Sequence, residues 1–298
     1  MDVTYSIVAR DPVTGQLGVA VQSHYFAVGT VVPWAVPGVG AVATQATVEV
    51  AYGPRALDLL EGGASAGEAL AQLVADDPGA AGRQVGIVDA GGRVAVHTGE
   101  ACIPFAGHVT GEGVTCQANI MVSERVWPAM LEAFVDSQGT LTMRLLAALD
   151  AAEATGGDLR GRQSAAILVV PGEGERWETV VSLRVEDHPE PLSELRRLVG
   201  IHEAYVLGEE ADGLVNAGDH DRAAVLYRRA AALAPDNYEL RFWGGLGAAY
   251  CGNLEAGVRE VRAAIAAYPP MLALLERLPA DFAPAAADVL NAIDKNAD

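Results

Sequence analysis

The chain has 298 residues, 51% hydrophobic and 20% charged, which is enough apolar material for a sizeable core and excludes global disorder. Its 39 acidic against 20 basic residues give a net charge of −19, a field that repels phosphate backbones and anionic lipid, so neither nucleic acid nor a membrane is expected as a partner. Lys295 is the only lysine and every other basic residue is arginine, which removes lysine-based chemistry from the main body of the chain. Cys102, Cys116 and Cys251 lack CxxC spacing, and His97, His108, His188, His202 and His220 lack metal-ligand spacing. No disulfide framework, metal or other cofactor is therefore expected. No basic n-region precedes an apolar run at the N-terminus, and the apolar stretch 27–43 is interrupted by Pro33 and Pro37. A cytoplasmic location is the expectation.

The opening predicts a hairpin, with strands over 4–10 and 17–23 around the turn Asp11-Pro12-Val13-Thr14-Gly15. A second hairpin is expected from 28–33 and 39–47, around Val36-Pro37-Gly38. These strands are apolar on both faces, as in sheets covered on both sides. A short helix follows over 55–61. Ser65 with Glu68 forms a capping-box pattern for a second helix ending before Pro78. Strands at 84–88 and 93–98 flank Asp89-Ala90-Gly91-Gly92, and 113–121 reads as another. Helices at 124–136 and 140–155 precede strands at 165–170 and 179–185. The order does not alternate as strand-helix-strand, so a doubly wound parallel sheet is not expected. Two stacked sheets with helices outside fit the order best. A single sheet with one helical layer is the other arrangement it allows.

After His188-Pro189-Glu190-Pro191 the pattern turns helical. Gly218 and Gly252, Ala230 and Ala264, and Pro235 and Pro269 are each 34 positions apart, the tetratricopeptide period. Ala223, Tyr227 and Pro235 fit the second-helix pattern of that repeat, and Trp243, Leu246, Gly247 and Tyr250 its first-helix pattern, although Glu209 stands where a first-unit Trp is expected. Four helices in two hairpins are predicted over 203–268, with Tyr227 and Trp243 largely buried. The expected division is a main domain at 1–200 and a tetratricopeptide-like tail at 201–298.

Several segments carry a more specific signal: Thr4-Tyr5-Ser6-Ile7-Val8-Ala9-Arg10-Asp11-Pro12, Gly18-Val19-Ala20-Val21-Gln22-Ser23, Gly40-Ala41-Val42-Ala43-Thr44-Gln45-Ala46, Tyr52-Gly53-Pro54-Arg55, Gln84-Val85-Gly86 and Gly161-Arg162-Gln163-Ser164-Ala165-Ala166. Together, over about 4–199, they resemble the domain-of-unknown-function family 1028, placed in the N-terminal-nucleophile (Ntn) hydrolase superfamily. The resemblance implies an α+β fold of the four-layer αββα type. It also implies amide hydrolysis by an N-terminal Thr, Ser or Cys, with Thr4 in that position, and it supplies no substrate. Two departures from relatives stand out. Met1, Asp2 and Val3 precede Thr4, so a free Thr4 amine requires cleavage of the Val3–Thr4 bond. His24 stands where relatives often carry lysine.

The residues add their own argument. A turn centred near Val13 places Thr4 opposite Gln22 or Ser23, with His24 at the same end. A hydroxyl at a strand start beside a second hydroxyl and an imidazole is a candidate nucleophile with helpers, although β-branched residues also simply begin strands. Asp158, Arg160, Arg162, Gln163 and Ser164 form a polar cluster before an apolar strand. Its arginines could clamp a carboxylate and Gln163 could donate to an oxyanion. Gln45, Gln117 and Asn119 lie within apolar strands, either as satisfied core amides or as donors. The expected function is an amidohydrolase acting on a small amide substrate. The alternative is a catalytically silent binding or scaffold protein. Through its tail the chain would form a homo-oligomer or hold a protein partner.

Overall fold

The computed structural model describes residues 4–295. The cleavage position between Val3 and Thr4 thus lies at the edge of, and partly outside, the described residues. The chain folds as two compact units, 1–197 and 198–298.

The first unit holds two antiparallel sheets. One has six strands: β1 (Thr4–Arg10), β2 (Leu17–Ser23), β7 (Gly107–Gly111), β8 (Val114–Asn119), β9 (Ser164–Val170) and β10 (Val181–Val185), in the order β10-β9-β2-β1-β8-β7. The other has four, β3 (Pro33–Val36), β4 (Gly40–Ala46), β5 (Arg83–Asp89) and β6 (Val94–Thr98), in that order. Helices α1 (Tyr52–Glu61) and α2 (Ala66–Asp76) pack on the four-stranded sheet, and α3 (Val126–Asp136) and α4 (Leu141–Ala154) on the six-stranded one. The two sheets pack against each other. The predicted opening hairpin is central, and β2 is buried at every position. Alternate β1 side chains face opposite layers: the Tyr5 hydroxyl reaches Glu153 on α4, whereas the Ser6 hydroxyl reaches Gln45 on β4.

Local chemistry explains the boundaries. The Asp11 carboxylate accepts from the N–H of Val13 and of Thr14, both at 2.8 Å, and so pins the first turn. Ser65 caps α2 with the reciprocal Glu68 bond. The expected strand over 28–33 does not form. Val28–Thr30 is a 3-10 turn following Ala27 in the left-handed region, and the strand begins only at Pro33. The Val28 carbonyl accepts from Val31 and Val32 within that turn and is unavailable to a ladder. The edge strand β7 was not expected. Its glycine ends and half-exposed residues give no apolar alternation to read.

The second unit is helical. After the long α5 (Pro191–Asn216), whose first turns fall in the first unit, come α6 (His220–Leu233), α7 (Tyr238–Tyr250), α8 (Leu254–Ala267), α9 (Pro270–Arg277) and α10 (Ala286–Asp294). The two 14-residue helices α6 and α8 start and end 34 positions apart. Their caps repeat as well: Asp219 accepts from Arg222 N–H and Asn253 from Ala256 N–H. Tyr227 and Trp243 are only half-buried, contrary to expectation. Phe242 occupies the core position instead, with Leu246 one turn on, while Trp243 lies on the neighbouring face. Among the described residues no helix is long and apolar enough to cross a membrane.

Candidate functional site

The layer between the sheets changes character along β1. Toward the middle it is apolar, built from Val8, Val19, Val21, Ala41, Ala43 and Val88. At the Thr4 end it is polar. Ladder register aligns Ser164, Ser23, Thr4 and Asn119 side by side across β9, β2, β1 and β8. In the facing sheet Gln45, Gln84 and Thr98 form a matching row across β4, β5 and β6. Partners in an antiparallel ladder share a face, so these are two polar rows looking at each other.

The rows are joined by hydrogen bonds. Thr4 Oγ1 donates to Ser23 Oγ at 3.2 Å. The Gln45 amide donates to Gln84 Oε1 at 2.8 Å and lies 3.3 Å from the carbonyls of Thr4 and Gln117. Its own Oε1 accepts from Ser6 Oγ at 2.6 Å, and Ser6 Oγ accepts in turn from Gln117 Nε2 at 2.6 Å. Asn119 Nδ2 donates to Gln84 Oε1 at 3.0 Å and lies 3.5 Å from the Thr4 carbonyl. Gln84 Nε2 reaches Ala118 O and Thr98 Oγ1 at 2.9 Å, and Thr98 Oγ1 sits 2.8 Å from His108 Nδ1. Gly86 makes room for this: a Cβ there would lie 2.5 Å from Gln117 Oε1. Thr4, Ser23, Gln45 and Asn119 are all fully buried or within 1% of it. A buried amide network is favourable only when satisfied throughout.

Backbone strain marks the same end. Ala46, at φ 70°, directly follows Gln45, and Ile120, at φ 52°, directly follows Asn119. The left-handed region is costly for a β-branched residue, and such positions cluster at functional sites.

The polar cluster before β9 lies around the end of β2. Buried Asp158 accepts from His24 N–H and Arg160 N–H, both at 2.8 Å, and pairs with the Arg160 guanidinium at 3.3 Å. His24 Nδ1 lies 3.3 Å from the Arg162 carbonyl. Arg162 pairs with Glu153 and Glu190, each at 2.5 Å. Burial, and then the Glu153 carboxylate that it bonds, hold the Tyr5 phenol well above its usual value, so it remains a donor. Gln163 bonds Asp187 at 3.1 Å, and Ser164 bonds the Tyr25 carbonyl at 2.5 Å. The fold thus brings Thr4, Ser23, Gln45, Asn119 and Ser164 into one polar layer. His24, Asp158, Arg160 and Arg162 come together beside it. Gln163 is turned to its own surface partner, and both guanidiniums are already engaged by carboxylates. Gln84 and Ser6, central to the network, stand in the segments that carry the family resemblance but were not among the candidate site residues. Among the described residues no group of three or more His, Cys, Asp or Glu is placed to hold a metal ion.

Two facing antiparallel sheets, helices packed on each and a buried polar end define a mixed α+β protein with a helical C-terminal region. The chain belongs to the family of unknown function DUF1028, whose family model matches residues 4–195. The crystal structure of protein SPO2555 from Silicibacter pomeroyi, of the same family, is similar at 34% identity, with a TM-score of 0.61 over 66% of this chain and 88% of that one. No curated protein matches the chain.

Proposed function

We propose that the chain is an amidohydrolase of the Ntn type, built on a four-layer αββα core, with Thr4 as the nucleophile for a small amide. The observation that carries this reading is the Thr4–Ser23 hydroxyl pair at the start of the central strand, held in the polar row between Ser164 and Asn119. The family match also begins at Thr4, so what precedes it lies outside the shared part. Once the peptide bond before Thr4 is cut, its α-amine is free to take the Oγ1 proton. Oγ1 then attacks the substrate carbonyl carbon, and Asn119 Nδ2, beside Thr4 in the polar row, is the proposed donor to the resulting oxyanion. Collapse expels the protonated amine and leaves an ester on Thr4, which water hydrolyses to the acid. Ser23 keeps Oγ1 oriented throughout. The helical region, with its 34-residue pitch, is read as tetratricopeptide-like.

The test compares the full chain with a version beginning at Thr4, against small N-acyl and ureido amino acids, with intact mass recorded after assay. The trimmed chain is expected to gain amidase activity. Thr4→Ala should remove roughly 10³-fold or more of it, and Thr4→Ser should keep part. Equal hydrolysis by the untrimmed chain would exclude Thr4 as the nucleophile. The complete burial of Thr4 favours a second reading, a silent Ntn-like core whose helical region recruits partners. Absence of turnover by the trimmed chain across the panel would favour it.

A further inference from the structure

The helical unit contains a cavity of about 440 Å³, a size suited to a small ligand, and every lining residue lies within 198–298. Four aromatic rings line it: Tyr227 from α6, Trp243 and Tyr250 from α7, and Phe282 from the segment before α10. Trp243 and Phe282 meet edge to face at 6.0 Å and 82°. The lining also carries the carboxylates of Asp212 and Asp281 and, among the described residues, no basic side chain. The Tyr227 hydroxyl donates to Asp212 Oδ1 at 2.5 Å. Burial, then that hydrogen bond, push the phenol well above its usual value, so Tyr227 stays a neutral donor. Gly247 permits the arrangement: a Cβ there would lie 2.4 Å from the Tyr227 ring.

We propose that this cavity is a binding site for an organic cation of the alkylammonium class. The four rings in the lining can attract a cation through their quadrupoles, and two carboxylates with no basic side chain among the lining residues set the sign of the ligand's charge. The shape of the group follows from the same residues. A guanidinium prefers a carboxylate with both oxygens open to a two-pronged bond. Asp212 has one oxygen committed to Tyr227, whereas a rounded ammonium needs only rings and a nearby charge. The cation can come from a free small molecule or from a lysine-type side chain on a polypeptide. The chemistry of the cavity is the same for both.

The test uses the full chain and calorimetric titration with choline and with its uncharged carbon isostere 3,3-dimethylbutan-1-ol. Choline is expected to bind at least ten-fold more tightly than the isostere, and more weakly as salt rises. Phe282 is 69% exposed and Asp281 is exposed, so Phe282→Ala and Asp281→Asn should fold normally, with an unchanged circular-dichroism melt as control. Each should weaken choline several-fold, and Trp243→Ala should weaken it ten-fold or more. A trimethyllysine peptide separates the two sources. Tighter binding than choline points to a polypeptide ligand, and equal or weaker binding to a free small molecule, either of which upholds the site. The proposal is overturned if choline and the isostere bind alike, if neither binds at 50 mM, or if folded Phe282→Ala and Asp281→Asn chains bind choline as the parent does.

Discussion

Gln84 is the residue on which the buried network converges. Its Oε1 accepts from both Gln45 and Asn119, and its amide satisfies Ala118 O and Thr98 Oγ1. Replacing it with leucine would remove the shared acceptor of two buried donors and the donor to a buried carbonyl at once. Gln84→Leu is therefore expected to cost about 3 kcal/mol or more in urea unfolding. A loss below about 1 kcal/mol would mean that the neighbours re-pair without it. Asp11 gives a second, pH-dependent case. Burial alone would raise its carboxyl, but the N–H groups of Thr14 and Val13 and the Arg144 guanidinium outweigh burial and hold it below its ordinary value. A depressed carboxyl stabilises the fold above its unfolded pKa of about 3.9, and that contribution fades as pH falls through the folded value. The stability gap between the parent and Asp11→Asn should be constant from pH 7 to 5 and shrink below pH 4. A gap independent of pH down to 2 would refute this. Residue chemistry was partly legible in the sequence. The turn centre narrowed the partner of Thr4 to Gln22 or Ser23, since strand register follows from turn position, and the ladder pairs it with Ser23. The role of Gln84 was not legible, because its partners come from another sheet and no local pattern records them.

At the scale of elements, legibility followed the strength of local signals. The capping box at Ser65 and Glu68 and the Asx turn at Asp11 both formed as written, because each is closed by atoms within four residues. The strand over 28–33 failed where tertiary demand won. Ser164 Oγ bonds the Val28 N–H and the Tyr25 carbonyl, and so holds a turn that β propensity opposes. Removal of the Ser65 hydroxyl frees the Glu68 N–H and loses the Oγ bond to the Glu68 carboxylate, while the reciprocal bond from the Ser65 backbone N–H remains. Ser65→Ala should therefore lower stability by about 1 kcal/mol in thermal melts, and Ser65→Asp should retain most of it. Equal melts for all three chains would show that α2 is held by packing alone. The 34-residue offset in the tail was visible because glycine, alanine and proline repeat together. The half-exposure of Trp243 was not, since helical periodicity cannot tell a core face from the wall of a cavity.

Each unit holds buried apolar clusters of its own among the described residues. Those built on Val42, Leu57 and Ile87, and on Val8, Val19 and Val170, lie entirely within 1–197. Those built on Phe242 and Val261, and on Ala204 and Leu240, lie entirely within 198–298. A unit that contains its own core carries its own cooperativity. The first, at nearly 200 residues, buries about 70% of its chain's surface on folding, enough to stand alone. Truncation after Arg197 should therefore leave a chain that melts in one sharp transition. Calorimetry of the full chain should show a further transition whose enthalpy, roughly 60–80 kcal/mol for about 100 residues, belongs to the helical unit. If the truncated chain unfolds without a cooperative transition, the first unit depends on the second, and the division at 197 is one of packing but not of folding.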